Sequence, residues 1–466
     1  MEQTLNGANP LGTEKVWNLL IKFSVPAIIG MVVNALYNIV DRIFIGNAKE
    51  LGSNGLAGIT IGFPIMVILL AIGILFGVGG ATLFSIKLGE GKTEEANKVM
   101  GNAFILLLCS GALFLILGQI FLAPLLRLFG ASETVLPYSM AYMRVIFFGA
   151  IFQVVSMGMN NFLRAVGQPK LAMLTMFFGA GTNIILDPIF IFVFKMGMAG
   201  AALATIIAQC ASMIWILAFF LKKSNHHRLT LTYMKPDKDI MLKITSLGMP
   251  GFLMQLSNSL LNIVLNKSLL TYGGDLAVSG MGIINSIQTF LLMPITGLNQ
   301  GVQPIISFNF GAKKYDRIKL AEKLAIIVAT IIVVVGWILT RVFPSQLVRL
   351  FNQEPNLVEF GSNALRTWFW CLPFIGFQIL GANFFQAVGR STSAMILTLT
   401  RQVILLIPAI LNFSRIWGLQ GILYAAPFAD ALSALITAVW FYFGIRSLSD
   451  SNPKISGEVS YQQFND

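Results

Sequence analysis

Charge is scarce in this chain. Only 11% of its 466 residues are Asp, Glu, Lys or Arg, and just 20 are acidic, whereas about a quarter of a soluble domain is charged. So little charge cannot keep a globule of this size in water. With 56% hydrophobic residues and a mean hydropathy of +0.77, the chain reads as an integral membrane protein. Cysteine and histidine are nearly absent too. Cys109, Cys210 and Cys371 stand singly inside apolar segments, at no metal-ligand spacing, and read as small buried hydrophobes. His226 and His227 sit together in a polar stretch that reads as a solvated loop rather than a metal site. No GxxxxGKS/T phosphate loop, nucleophile elbow or HExxH motif occurs, which argues against an ATP-driven pump and against a membrane-embedded enzyme. The polar opening MEQTLNGANPLGTEK precedes an apolar run too long for a signal-peptide core, so the first helix is expected to be retained.

What the chain does have is long apolar runs, arranged twice. Spanning a bilayer takes roughly 20 apolar residues, and such segments fall near 17–45, 57–84, 99–125, 137–163, 171–194, 198–221, 244–270, 277–306, 320–343, 360–386, 393–413 and 419–445. An offset of about 222 to 224 residues places Pro26 on Pro250, Asn34 on Asn258, Asn38 on Asn262, Gly79 on Gly301, Ser85 on Ser307 and Gly89 on Gly311. Further along, Arg127 falls on Arg349, Arg144 on Arg366, Asn161 on Asn383 and Gly167 on Gly389. Shared greasiness does not hold so many unlike residue types in register. The expected fold is an all-α integral membrane protein with twelve transmembrane helices in two six-helix lobes related by a parallel pseudo-twofold repeat, an architecture of secondary transporters.

The expected domains are a cytoplasmic N-terminal tail (1–14), an N-terminal lobe (15–222), a cytoplasmic linker (223–240), a C-terminal lobe (241–446) and a cytoplasmic tail (447–466), polar and expected to be disordered from Asp450. The net charge of +12 comes from Lys and Arg concentrated in connections on one side, such as Lys222, Lys223, Arg228, Lys235, Lys238 and Lys243. By the positive-inside rule that side is cytoplasmic, so the basic balance reports topology and not a nucleic-acid partner. A multi-pass protein of the cell (plasma or inner) membrane, with both termini cytoplasmic, is expected. A monomer is the expected unit.

Buried polar groups mark the chemistry. Asn34, Asn38 and Asp41 share one face of the first helix at i, i+4 and i+7, and Asn183 and Asp187 repeat the i, i+4 spacing on the fifth. At about 1.5 Å per residue, Asp41, Asp187 and Thr205 all fall roughly 6–12 Å inside the outer boundary. An intramembrane carboxylate is by default functional, and Pro188 beside Asp187 frees a backbone oxygen by removing an amide donor. Two carboxylates with amide and hydroxyl oxygens suit a proton or a hard alkali cation. The second half has lost the chemistry, because Asp41 aligns with Leu265, Asn183 with Leu405, Asp187 with Ala409 and Thr205 with Ala426. It carries instead two charges the first half lacks, Arg401 opposite Gly179 and Asp430 opposite Gln209, and these are expected to neutralise each other as a structural pair.

The stretches LLIKFSVPAIIGMVVNALYNIVDRIFIGN, SIKLGEGKTEEANKV, LRAVGQPK with QAVGRSTSA, and TNIILDPIFIF before GMAGAALAT resemble the MATE (multidrug and toxic compound extrusion) transporters, in particular their MepA-type bacterial branch. The resemblance covers residues 15 to about 446. It implies two lobes facing each other as a V and antiport of H+ or Na+ against amphipathic, mostly cationic drugs, with no resident cofactor. Asp41, Asn183, Asp187 and Thr205 match that family's cation site, where a Na+ ion is one candidate occupant. The NorM-type branch keeps carboxylates on its seventh and tenth helices, and here the seventh offers only Gln255, Ser257 and Asn258. Asn34, Asn38, Met31, Met157, Met176, Met254, Gln255, Asn258 and Met293 are candidates for a drug cavity, since flexible thioethers and amides adapt to varied ligands. The alternative is a lipid-linked saccharide flippase of the same superfamily, which calls for a broad cationic groove; the few Arg within helices argue against it.

Overall fold

The computed structural model describes residues 9–48, 52–222 and 226–448, and among them every regular element is helical. The expected tail beyond Asp450 lies outside these residues. A short helix α1 (Pro10–Thr13) precedes the first lobe, formed by α2 (Val16–Asn47), α3 (Gly52–Gly89), α4 (Thr93–Leu128), α5 (Leu136–Phe148), α6 (Ala150–Ala165), α7 (Pro169–Pro188) and α8 (Gly197–Leu221). The second lobe holds α9 (Lys238–Gly311), α10 (Tyr315–Val342), α11 (Pro344–Arg349), α12 (Pro355–Trp368), α13 (Leu372–Ala387), α14 (Ser391–Leu399) and α15 (Ile407–Arg446).

At 74 residues α9 is far too long for one crossing: roughly 110 Å of helix would meet about 30 Å of hydrocarbon. It is two crossings joined at Gly274, whose φ of 64° and ψ of −164° belong to no helix and to almost no residue but glycine. Gly418 (φ 57°) divides α15 in the same way, and its repeat counterpart Gly197 turns the chain between α7 and α8 at φ 58°. Two further crossings are bent: α5 and α6 meet at 55°, and α12 and α13 at 51°. Counting each bent pair once gives six crossings per lobe, and the protein is a multi-pass membrane protein.

The lobes meet at the end of the bundle that carries α1 and Arg446, here called the terminal face. The contacts are symmetric. Gly89 lies against the backbone at Phe308 and Ala312, and Gly311 against Ile86 and Glu90; Gly79 faces Gly248, and Gly301 faces Ser24. A side chain at any of these glycines would collide with backbone of the other lobe, so this seal depends on their lacking one. Gly73, Gly77 and Gly80 instead admit Met157, Gly158 and Phe162 of α6, so they serve packing within the first lobe rather than a bend.

Residues 9–14 of the tail and 226–240 of the linker pack against the lobes. Leu11 and Glu14 offer their carbonyls to the Arg317 guanidinium, Asn309 Nδ2 donates to Leu11 O at 2.9 Å, and Lys314 Nζ donates to Gly12 O at 2.7 Å. The start of the first lobe is thereby tied to the second. In the linker, Asn102 Nδ2 donates to Lys235 O, and its Oδ1 accepts from Asp237 N at 2.8 Å. His226 is exposed, but His227 is half-buried, 3.3 Å from Asn97 Oδ1 and edge-on to Phe84.

Burial, with His226 alongside, pushes the His227 pKa below its ordinary 6.5. An undocked linker takes up a proton that the docked one resists. Docking is therefore strongest above about pH 6.5 and weakens as pH falls below it. Hydrogen exchange at residues 229–237, corrected for intrinsic rate, is expected to speed up from about pH 7.5 to about pH 5.5, and His227→Gln is expected to remove that dependence. Equal pH dependence in the variant would assign the effect to another group.

Candidate functional site

Three helices bring carboxyl, amide and hydroxyl groups of the first lobe together. Asp41 projects from the last third of α2, Asn183 and Asp187 from α7 and Thr205 from α8, with Asp41, Asn183 and Asp187 buried. Asn183 Nδ2 donates to Asp187 Oδ1 and reaches Thr205 Oγ1, both at 3.4 Å, while Thr205 donates back to Ala201 O within its own helix. The Asp41 and Asp187 carboxyl groups lie within hydrogen-bonding reach of each other. Two bare carboxylates repel at that range, so the pair calls for a proton shared between them or a cation beside them. The helix changes character just beyond, because Pro188 has no amide to donate and Ile189–Val193 continues as a π-helix in which Phe194 N reaches back to Ile189 O.

Asn183 Oδ1 and Asp187 Oδ2 are buried without hydrogen-bond partners. Unsatisfied buried acceptors are uncommon in a settled structure, and oxygen acceptors alone suit a hard cation. The residues thus fit Na+ as well as H+: Asp41, Asp187, Asn183 and Thr205 would hold the ion, and its charge would relieve the repulsion between the carboxylates. Among the described residues no group of three His, Cys, Asp or Glu side chains gathers as a transition-metal site.

Tyr142 completes the cluster and escaped the reading of the sequence. It is fully buried on α5, within hydrogen-bonding reach of Thr205 and close to Asp41, Asp187 and Tyr37. The signal was there, since its repeat partner is Ala364, the same polar-for-apolar asymmetry that singles out Asp41 over Leu265.

The second lobe builds nothing comparable. Leu265, Ala409 and Ala426 are buried and apolar at the equivalent positions. Its polar groups form an amide chain, in which Gln402 Nε2 donates to Asn258 Oδ1 at 2.6 Å and Asn258 Nδ2 to Gln255 Oε1 at 3.4 Å. Arg401, in the π-helical stretch Thr400–Leu406, donates from Nε to Asp430 Oδ1 at 2.7 Å.

The candidates for the drug cavity are scattered among several settings. Asn34 and Met254 are exposed, and Gln255, Asn258 and Met293 half-buried. Met157 and Met176 pack against Gly73 and Gly30 inside the first lobe, and Met31 Sδ accepts from Gln300 Nε2 across the lobes at 3.6 Å. The side chain of Asn38 lies outside the described residues. Cys210 and Cys371 are half-buried, but Cys109 is exposed on the outside of the bundle and not buried; a thiol is apolar enough to face lipid there.

A family model described as MatE matches residues 26–189 and 250–411, one match in each lobe. The multidrug export protein MepA of Staphylococcus aureus (strain MSSA476) is 30% identical over 427 residues, which span 92% of this chain and 94% of that protein. Its counterpart in Staphylococcus saprophyticus is 29% identical over 429 residues, with the same shares covered. Among solved structures, the MATE multidrug transporter DinF-BH, solved as a complex, is 38% identical, with a TM-score of 0.87 over 95% of this chain and 98% of that one. An outward-facing multidrug resistance MATE family transporter of the MOP superfamily is 27% identical, with a TM-score of 0.89 over 96% of this chain and 99% of that one.

Proposed function

The chain belongs to the MatE family, and from that premise we propose that it is a secondary active multidrug exporter, an antiporter that exchanges amphipathic, mostly cationic drugs for H+ or Na+ by alternating access. The observation that carries the reading is the contact between Asp41 and Asp187, buried in one lobe only and surrounded by the oxygens of Asn183, Thr205 and Tyr142. Relatives named as multidrug export proteins, and a structural relative named as a multidrug transporter, support the substrate class.

In this reading the terminal face is cytoplasmic, the membrane is the cell membrane, and the glycine-lined contact of the lobes closes the inner entrance. A drug enters between the lobes from the cytoplasm or inner leaflet and leaves outward. An ion entering from outside binds at Asp41 and Asp187. The ion drives this exchange only if the two conformations bind it with different affinity, since equal binding shifts nothing. Proximity of Asp41 and Asp187 is the stored part of that difference, because bringing the two carboxyls together demands a positive charge between them.

Inverted membrane vesicles test the proposal. Ethidium and a fluoroquinolone are expected to accumulate in vesicles whose lumen is loaded with acid or with Na+, and the gradient that works names the coupling ion. No accumulation with either gradient, from vesicles in which the protein is present and folded, would overturn the reading.

A further inference from the structure

Where the two lobes close on the terminal face, a narrow pocket of about 10 Å3 opens between α3 and α6 of the first lobe and α9 of the second. That is room for a single small occupant. Arg164 lines it from the last turn of α6 and is itself only 4% exposed. Its guanidinium donates to Asn160 Oδ1 and Asn161 Oδ1, both at 2.9 Å, and both acceptors are neutral amides. Among the described residues no carboxylate pairs with it. A buried guanidinium cannot shed its charge by losing a proton and ordinarily has a counter-charge.

Hydroxyl and amide groups line the rest of the pocket. Ser85 Oγ is fully buried, lines the pocket and has no hydrogen-bond partner. Thr82 Oγ1 accepts from Gln303 Nε2 of the other lobe at 2.9 Å, which leaves its own hydrogen to give. Gln300, also of the other lobe, holds Oε1 buried without a partner while Nε2 meets only the Met31 thioether. Turning that amide over directs its two N–H groups into the pocket, an exchange of two nearly isosteric atoms. The arrangement occurs once. At the equivalent position of the second lobe stands Gln386, neutral, and satisfied by donating to Leu247 O at 2.7 Å.

We propose that this pocket binds one monatomic inorganic anion, a halide such as chloride, held by Arg164, Thr82 and Ser85 of the first lobe and Gln300 of the second. A water molecule would satisfy the hydroxyls but leave the charge of Arg164 uncompensated. Because the donors come from both lobes, the complete site exists only while the terminal face is closed. Halide binding therefore favours that conformation, about 11-fold when its concentration is ten times the dissociation constant.

The test uses the full-length protein in detergent and reads binding, so it stands or falls independently of drug transport. Thermal unfolding is followed during titration with NaCl or NaBr and with sodium gluconate at equal ionic strength, and crystals grown in bromide are measured for anomalous scattering. The halides are expected to raise the midpoint saturably, gluconate is not, and bromide is expected beside Arg164. Arg164→Gln, which installs the residue the second lobe uses at this place, is expected to abolish the halide increment. Should that variant fail to fold, Gln300→Leu, which removes a donor from the other lobe, is expected to weaken the halide response at least 10-fold. Equal responses to halide and gluconate, a full halide response in the folded variants, or an ordered water with no bromide beside Arg164 would overturn the proposal.

Discussion

Asp41→Asn and Asp187→Asn are each expected to reduce drug accumulation against a gradient to passive leak while the protein stays folded. An amide preserves the volume of the carboxyl and much of its hydrogen bonding, so Asn183 and Thr205 keep their partners. It cannot gain or lose a charge. To drive a two-state transporter from mostly one conformation to mostly the other, an ion needs a differential affinity of about 10,000-fold, and a site whose carboxyl pair is reduced to one loses the repulsion that makes the difference. Drug binding measured in detergent is expected to change only a few-fold, because the substituted groups act on the ion. Leu265→Asn, at the repeat counterpart of Asp41, serves as the comparison. It buries an amide among apolar neighbours and is expected to lower the amount of folded protein, yet leave accumulation per folded molecule intact. Concentrative uptake by either Asp variant would remove that residue from the coupling mechanism and make Asp430 the next carboxylate to substitute.

How this site could be read from the sequence, and where the reading stopped, follows from the physics. Asp41 and Asp187 stand out because charge is rare and the repeat supplies an internal comparison: Leu265 and Ala409 sit where they would be. The twelve crossings are legible for the same reason, since apolar length is a one-dimensional property. Their joints are less so. Gly274 and Gly418 carry glycine where a positive φ demands it, but the bends of 55° and 51° fall at Gly149 in one lobe and around Phe369 to Cys371 in the other, with no shared local sequence. Each break carries its own local breaker, Gly149 in one lobe and Pro373, which has no amide to donate, in the other, so comparing the two repeats does not reveal them as one shared feature. Tyr142 and Arg164 were missed for a related reason. A phenol or guanidinium in a helix commonly reaches toward an interface, and only the packing of α5 against α8, and of α3 and α6 against α9, shows that these two are enclosed. His227 went wrong in the opposite sense, as a polar linker residue that Phe84 and Asn97 shelter from water.

The second large effect concerns stability. Arg401→Ala and Asp430→Ala are each expected to destabilise the folded protein by about 3–5 kcal/mol, the range for removing one partner of a buried ion pair. The geometry supports the upper part of that range: the Nε to Oδ1 contact is 2.7 Å, and the side chains are 14% and 2% exposed. The stranded charge accounts for the loss, not the absence of the attraction, because burial has already stripped both groups of water. Two double variants separate the causes. Arg401→Asp with Asp430→Arg restores opposite charges in exchanged positions and is expected to recover folded yield in part, limited by the shorter reach of Asp from position 401. Arg401→Met with Asp430→Leu strands no charge and is expected to recover more, by the rule that well-packed apolar residues replace a buried pair at little cost. Yield after membrane extraction and the thermal midpoint in detergent read all four variants. If the swapped and apolar doubles lose as much as the sum of the singles, the two residues act independently, and the 2.7 Å contact contributes nothing to holding the second lobe together.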